Sequence, residues 1–126
     1  MRRILLPLLV LGGTALAKPA ASPIGSWRGT SLCTVKPSAC HDEAVVYHVT
    51  AGTDPDSFMF DAAKLVDGRE EDMGTIACHL DRGHHAVVCP IPKGTFTFVL
   101  DGDRMRGTLD LPDGTRFRRI FVERVR

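Results

Sequence analysis

From Ser26 onward the chain alternates short apolar-rich runs with turn signals. The runs stand at 26–33, 43–50, 57–66, 73–81, 85–91, 95–100, 104–111 and 115–125, which gives eight candidate strands. Between them lie Pro37, Gly52-Thr53-Asp54-Pro55, Asp67-Gly68, Arg82-Gly83, Pro92-Lys93-Gly94, Asp101-Gly102 and Pro112-Asp113-Gly114. Glycine supplies positive φ, proline presets φ and aspartate caps a bend, so these breaks are turns. Several runs repeat with period two, as a half-buried strand does. Phe96, Phe98 and Leu100 share one face, and Ile76, Cys78 and Leu80 align in the same way. Met105, Leu109 and Leu111 oppose Arg106, Thr108 and Asp110. No run reads as a helix of three turns. Asp61 to Val66 comes nearest, and the adjacent Phe58 and Phe60 make it equally a strand.

Short loops favour antiparallel neighbours. The pattern therefore predicts an all-β fold, a closed or nearly closed eight-stranded antiparallel up-and-down barrel, with a β-sandwich as the alternative. Closure is favoured because it removes exposed strand edges.

The N-terminus departs from this theme. Arg2 and Arg3 precede an apolar run from Ile4 to Leu11, and Ala15-Leu16-Ala17 supplies the small residues that a signal peptidase reads. The run is shorter than the ~20 residues that span a bilayer. Residues 1–17 are thus expected to be a signal peptide, 18–24 an irregular leader, and 25–126 a single barrel domain. The protein is expected to be exported, periplasmic or secreted, with no membrane span after signal cleavage.

Loss of Arg2 and Arg3 would leave 14 basic against 15 acidic residues, a net charge of −1. Neutralising phosphates needs a basic surplus, so no nucleic acid is expected as partner. The four cysteines all fall in the expected mature part, and an even count in a short exported chain implies two disulfides. A four-residue loop over Arg82-Gly83-His84-His85 would set Cys78 opposite Cys89, while Cys33 and Cys40 enclose a short loop around Pro37. The expected bridges are Cys33–Cys40 and Cys78–Cys89.

Gly25-Ser26-Trp27, at the start of the first strand of an exported eight-stranded chain, resembles the Gly-x-Trp of calycins: lipocalins, fatty-acid-binding proteins and avidins. The resemblance to lipocalin-like proteins implies that Trp27 closes the barrel base and that an arginine of the last strand, Arg119 or Arg124, packs across its ring. A guanidinium over an indole contributes about 0.5–2 kcal/mol. Avidins line their pocket with several tryptophans and this chain has one, so biotin is not implied. In fatty-acid-binding relatives an Arg-x-Tyr pair on a late strand holds a carboxylate. Here Arg119-x-Phe121 keeps the arginine without the hydroxyl.

Other candidate chemistry is thinner. Cys40-His41-Asp42-Glu43 contains metal-ligand types, but neighbours on a strand diverge to opposite faces, and a site needs three or four convergent ligands. His79, His84 and His85 surround one hairpin, where loop histidines read as solvated. His48 reads as a strand histidine satisfied by hydrogen bonding or solvent, with a polar group inside a ligand cavity as the functional alternative. Glu70-Glu71-Asp72 reads as an acidic tip. There is no Gly-x-Ser-x-Gly elbow, and the two bridges would remove the thiols. Residues 104–126 carry seven arginines and three acids, which read as an outward row unless one arginine points inward; the consecutive Arg118-Arg119 demands a bulge or an inward arginine.

These readings converge on a protein that is not an enzyme and needs no cofactor or metal. It is expected to be an exported binding protein, with a small hydrophobic molecule as its ligand. Phe58, Phe60, Phe96, Phe98, Met105 and Arg119 are the candidate ligand-binding residues, with Leu109 and Phe117 beside them. In a mature chain of 109 residues the apolar side chains suffice to fill the barrel, so a filled core is expected and a lined cavity is the alternative. The second functional expectation is an interaction module for an envelope or secreted protein, such as an inhibitor of a protease or lysozyme. Its leader, Lys18 to Pro23, would insert into the enzyme cleft.

Overall fold

In a computed structural model the described residues are 22–126, with Pro7 and Gly12 isolated before them. The rest of the expected signal, and leader residues 18–21, lie outside the described residues. The strands are β1 (Gly25–Cys33), β2 (Glu43–Ala51), β3 (Ser57–Val66), β4 (Arg69–Asp81), β5 (Ala86–Ile91), β6 (Gly94–Asp101), β7 (Arg104–Asp110) and β8 (Arg116–Arg124). Each pairs antiparallel with the next, and β8 returns to β1, so the sheet is a closed up-and-down barrel rather than a sandwich.

Alternation sorts the side chains. Trp27, Val45, Tyr47, Val49, Phe60, Val87, Phe98, Met105, Ile120 and Val122 form one buried cluster inside. Their neighbours in sequence mostly face water. The N-terminal half of β4 departs from expectation, because the strand begins at Arg69 rather than near residue 73. Arg69 to Asp72 pairs with Ala63 to Val66 beyond a register shift between Ala62 and Ala63. In this arm Arg69 to Met73 are all exposed, so its charged residues carry no burial rhythm for a sequence reading to detect.

A second shift lies between β7 and β8. Leu109 faces Arg118 while Asp110 faces Arg116, which leaves Phe117 as the extra residue of a bulge. Beyond it Ile120 and Val122 are buried, whereas Arg119, Phe121 and Glu123 are exposed. Arg118 and Arg124 fall on the inward face of β8, one near each end of the barrel.

Both disulfides form as expected. Cys33–Cys40 ties the long β1–β2 connection, with its Cα atoms 6.0 Å apart. Cys78–Cys89 links β4 to β5 with Cα atoms 4.2 Å apart, and both residues are buried in the core cluster. The intervening hairpin turns through Arg82–His84 and His85, the four residues anticipated.

One end of the barrel is plugged. Trp27 is wholly buried, and its Nε1–H donates to the Pro23 carbonyl at 2.8 Å. Arg124 lies across the indole, with Cζ 4.3 Å from the ring centroid. Its Nη1 donates to the Ile24 carbonyl at 2.6 Å, Nη2 to the Ser22 carbonyl at 2.8 Å and Nε to Asp103 Oδ1 at 3.0 Å. Gly25, at φ +133°, admits this packing; a Cβ there would stand 2.9 Å from Arg124 Nη1. Leader residues Ser22 to Ile24 are thereby fastened to the base.

Candidate functional site

The opposite end is open. A cavity of about 370 Å³ enters there, with Phe60, Phe96, Phe98, Val45, Ala62, Ile76 and Ile91 as its apolar wall and Met73 at the rim. Ser31, Glu43, Tyr47 and Arg118 supply its polar groups. Side chains fill the interior toward the plugged end, whereas at this end the expected filled core gives way to a cavity. The floor is an aromatic stack, in which Phe60 and Phe98 lie 5.0 Å apart and Tyr47 meets Phe98 edge-on at 5.5 Å. Phe96 continues the stack toward the mouth, 6.1 Å from Phe98. Gly107 makes room for this floor, since a Cβ on it would stand 2.7 Å from the Phe98 ring.

The polar wall is built by the β8 bulge. Arg118 Nη1 donates to Ser31 Oγ at 3.1 Å, to the Ser31 carbonyl at 3.4 Å and to the His41 carbonyl at 3.1 Å. Ser31 is the one buried polar residue among the described residues, and this bond satisfies it. Glu43 Oε2 lies 3.9 Å from the same nitrogen, beyond hydrogen-bonding range, so the pair is loose. Every one of these contacts uses Nη1. Among the described residues Nη2 and Nε have no hydrogen-bond partner, although only 15% of the side chain is exposed. Burial pushes the Tyr47 hydroxyl well above its ordinary pKa of 10.0, and the nearby Arg118 offsets this only in part. The phenol is therefore a neutral donor at any physiological pH.

The expected site residues divide by depth. Phe60, Phe96 and Phe98 line the cavity. Phe58, opposite Cys78 toward the plugged end, and Met105, opposite Val122, are buried in the core. Leu109 is likewise buried, and Phe117 is the bulge residue. Arg119 faces outward beside Phe121, so neither the inward anchor nor the indole partner is Arg119: the bulge hands the first role to Arg118, and Arg124 takes the second. Tyr47, Ser31 and Glu43 were missed. The period-two set Val45, Tyr47, Val49 holds the signal for Tyr47, which a reading for core hydrophobes absorbs.

The remaining candidates have structural roles. Asp42 Oδ1 accepts from the Cys33 N–H at 2.7 Å, and His41 lends its carbonyl to Arg118. No group of three metal-ligating side chains occurs among the described residues. His84 pairs with Asp81 at 2.8 Å. On the outer wall Ser26 Oγ lies 2.8 Å from His48 Nδ1, and His48 Nε2 lies 2.6 Å from Glu70 Oε1. The order is that of a nucleophile relay, but His48 and Glu70 are 43% and 46% exposed. Water competes for each proton there, and the chain of bonds acts as a clip holding the β3–β4 arm against β2. Compared with known families, proteins and structures, the chain matches no family model, no curated protein and no solved structure.

Proposed function

We propose that this is an exported, non-enzymatic binding protein of lipocalin-like plan, whose barrel mouth takes a small hydrophobic molecule. The molecule's polar end accepts hydrogen bonds from Arg118 and Tyr47, while its apolar body lies along Phe96, Phe98 and Phe60. The observation that carries this reading is the 370 Å³ cavity. At ~30 Å³ per water it has room for about a dozen, within the range of small-molecule sites. An apolar chamber with a few convergent donors is the usual composition of such sites. Export is supported by the Arg2-Arg3 signal pattern and by two disulfides, which persist in oxidising compartments.

The test is fluorescent-probe binding to delipidated, disulfide-bonded protein. A labelled fatty acid and the neutral N-phenylnaphthylamine are both expected to bind saturably. Ile76→Trp, which fills the cavity, abolishes both signals. Arg118→Met weakens the acid at least ~5-fold and changes the neutral probe less than ~2-fold. If neither probe binds and solvent extraction of the purified protein yields no lipid, the reading fails.

A further inference from the structure

The outer face of β7, β8 and β1 carries a second surface, independent of the mouth. Phe121 is 46% exposed near the middle of β8, where a closed barrel has no need of an aromatic ring. It pairs across β7 with Arg106 and across β1 with Thr30. Arg119 lies two residues away on the same face, and Arg28 lies two residues from Thr30 on β1. Arg106 in turn pairs with Val99, also 46% exposed. Three arginines thus ring one exposed aromatic side chain on a continuous wall of sheet.

These arginines lack internal partners. Arg28, Arg106 and Arg119 make no salt bridge among the described residues; Asp110 is paired with Arg116, and Glu123, which stands opposite both Arg28 and Arg104, is held only loosely, 3.7 Å from Arg104. Shallow grooves flank Phe121 on both sides, and Arg106 with Phe121 lines each of them. The basic residues of 104–126 are all arginine, with no lysine. A flexible ammonium serves as well as a guanidinium for general attraction to a charged surface. The planar fork is superior where carboxylates are held two bonds at a time. Arginine and aromatic side chains are also the types that dominate the centres of protein interfaces.

We propose that this face docks a partner protein through a segment in which two or more carboxylates flank an apolar side chain. Phe121 and Val99 receive the apolar group, and Arg28, Arg106 and Arg119 take the carboxylates. The partner surface is acidic, which sets it apart from basic partners.

The experiment uses purified, disulfide-bonded protein, isotope-labelled for NMR and titrated at low salt with a synthetic Glu-Glu-Leu-Glu-Glu peptide. The expected result is saturable shifts confined to β7, β8 and β1, with Kd rising steeply as salt is added. Arg106→Ser/Arg119→Ser weakens binding at least ~10-fold and Phe121→Ser at least ~5-fold. Arg69→Ser, which removes a charge on the β3–β4 arm, changes it less than ~2-fold. All are exposed positions, and thermal melts of each variant report that the fold is kept. Four results overturn the proposal: no shifts at low salt, shifts centred elsewhere, variants that bind like the parent, or equal binding of the Lys-Lys-Leu-Lys-Lys control. A clear preference for phosphatidylglycerol vesicles over the peptide also overturns it, because the partner is then a lipid surface.

Discussion

Arg124 covers the indole of Trp27 at 4.3 Å while its three nitrogens bind Ser22, Ile24 and Asp103. One side chain thereby joins the leader, β1, β8 and the β6–β7 turn at the plugged end. Its side chain is 25% exposed, so the bonds to two backbone carbonyls are only partly replaceable by water. Arg124→Ala is expected to cost about 2–3 kcal/mol, the sum of a cation–π contact and charge-assisted hydrogen bonds. For a domain of this size that is a fall in Tm of roughly 10 °C or more. Arg124→Lys recovers less than half, because an ammonium cannot span the carbonyls and the carboxylate together. A melting point within ~2 °C of the parent for Arg124→Ala would contradict the plug as described.

The two disulfides are expected to differ in worth. Loop closure alone assigns each roughly 2–3 kcal/mol, for sequence separations of 7 and 11. Cys78 and Cys89 also fill the core, at 3% and 0% exposure. Replacing both with alanine therefore removes buried sulfur in addition to the crosslink, and the packing loss adds to the entropy. Urea unfolding of Cys78→Ala/Cys89→Ala should give the larger drop in stability, and Cys33→Ala/Cys40→Ala the smaller. The reverse order would mean that the exposed loop, not the interior bridge, limits the fold.

Barrel and bridges were legible in the sequence because each rests on local signals. Turn residues marked the breaks, and the four-residue loop between Cys78 and Cys89 fixed their register. The site was legible only in part. Phe60, Phe96 and Phe98 announced themselves by alternation, but alternation gives the face and not the depth, so Phe58 and Met105 could not be told from them. Arg118 and Arg119 were ambiguous for a different reason. A one-residue bulge at Phe117 moves a side chain through the wall of the barrel, and no local propensity marks where that residue is inserted. Tyr47 was hidden by its own apolar ring.

Tyr47 also makes the protein sensitive to alkali. Its pKa is raised by burial above the 10.0 of an exposed phenol, so the folded state holds a proton that the unfolded chain releases. The sign follows from linkage: the stabilising contribution is complete below pH 10 and is lost progressively as pH climbs above it. Tyr47 is the chain's one tyrosine, so tyrosinate absorbance reports on it alone. The phenol should stay un-ionised above pH 10 until far-UV circular dichroism signals opening, and both changes should coincide. Tyr47→Phe should flatten the alkaline decline in stability. A phenol that titrates near pH 10 with the barrel intact would show that the hydroxyl is not shielded.

Gly107 joins the fold to the cavity most directly. The residue faces inward on β7 opposite Phe98, and an added Cβ would lie 2.7 Å from two atoms of that ring and 3.2 Å from Ile120 Cβ. Ile120 is wholly buried and cannot retreat, so the ring must move instead, away from β7 and into the open chamber above it. Overpacking of this kind costs about 1–3 kcal/mol. Gly107→Ala should therefore lower stability by that amount and also shrink the space beside Phe96 and Phe60. Probe affinity at the mouth should fall at least ~5-fold, while the arginine-rich outer face keeps its peptide affinity within ~2-fold. A variant that loses stability but binds the neutral probe as tightly as the parent would place the bound molecule away from the aromatic floor.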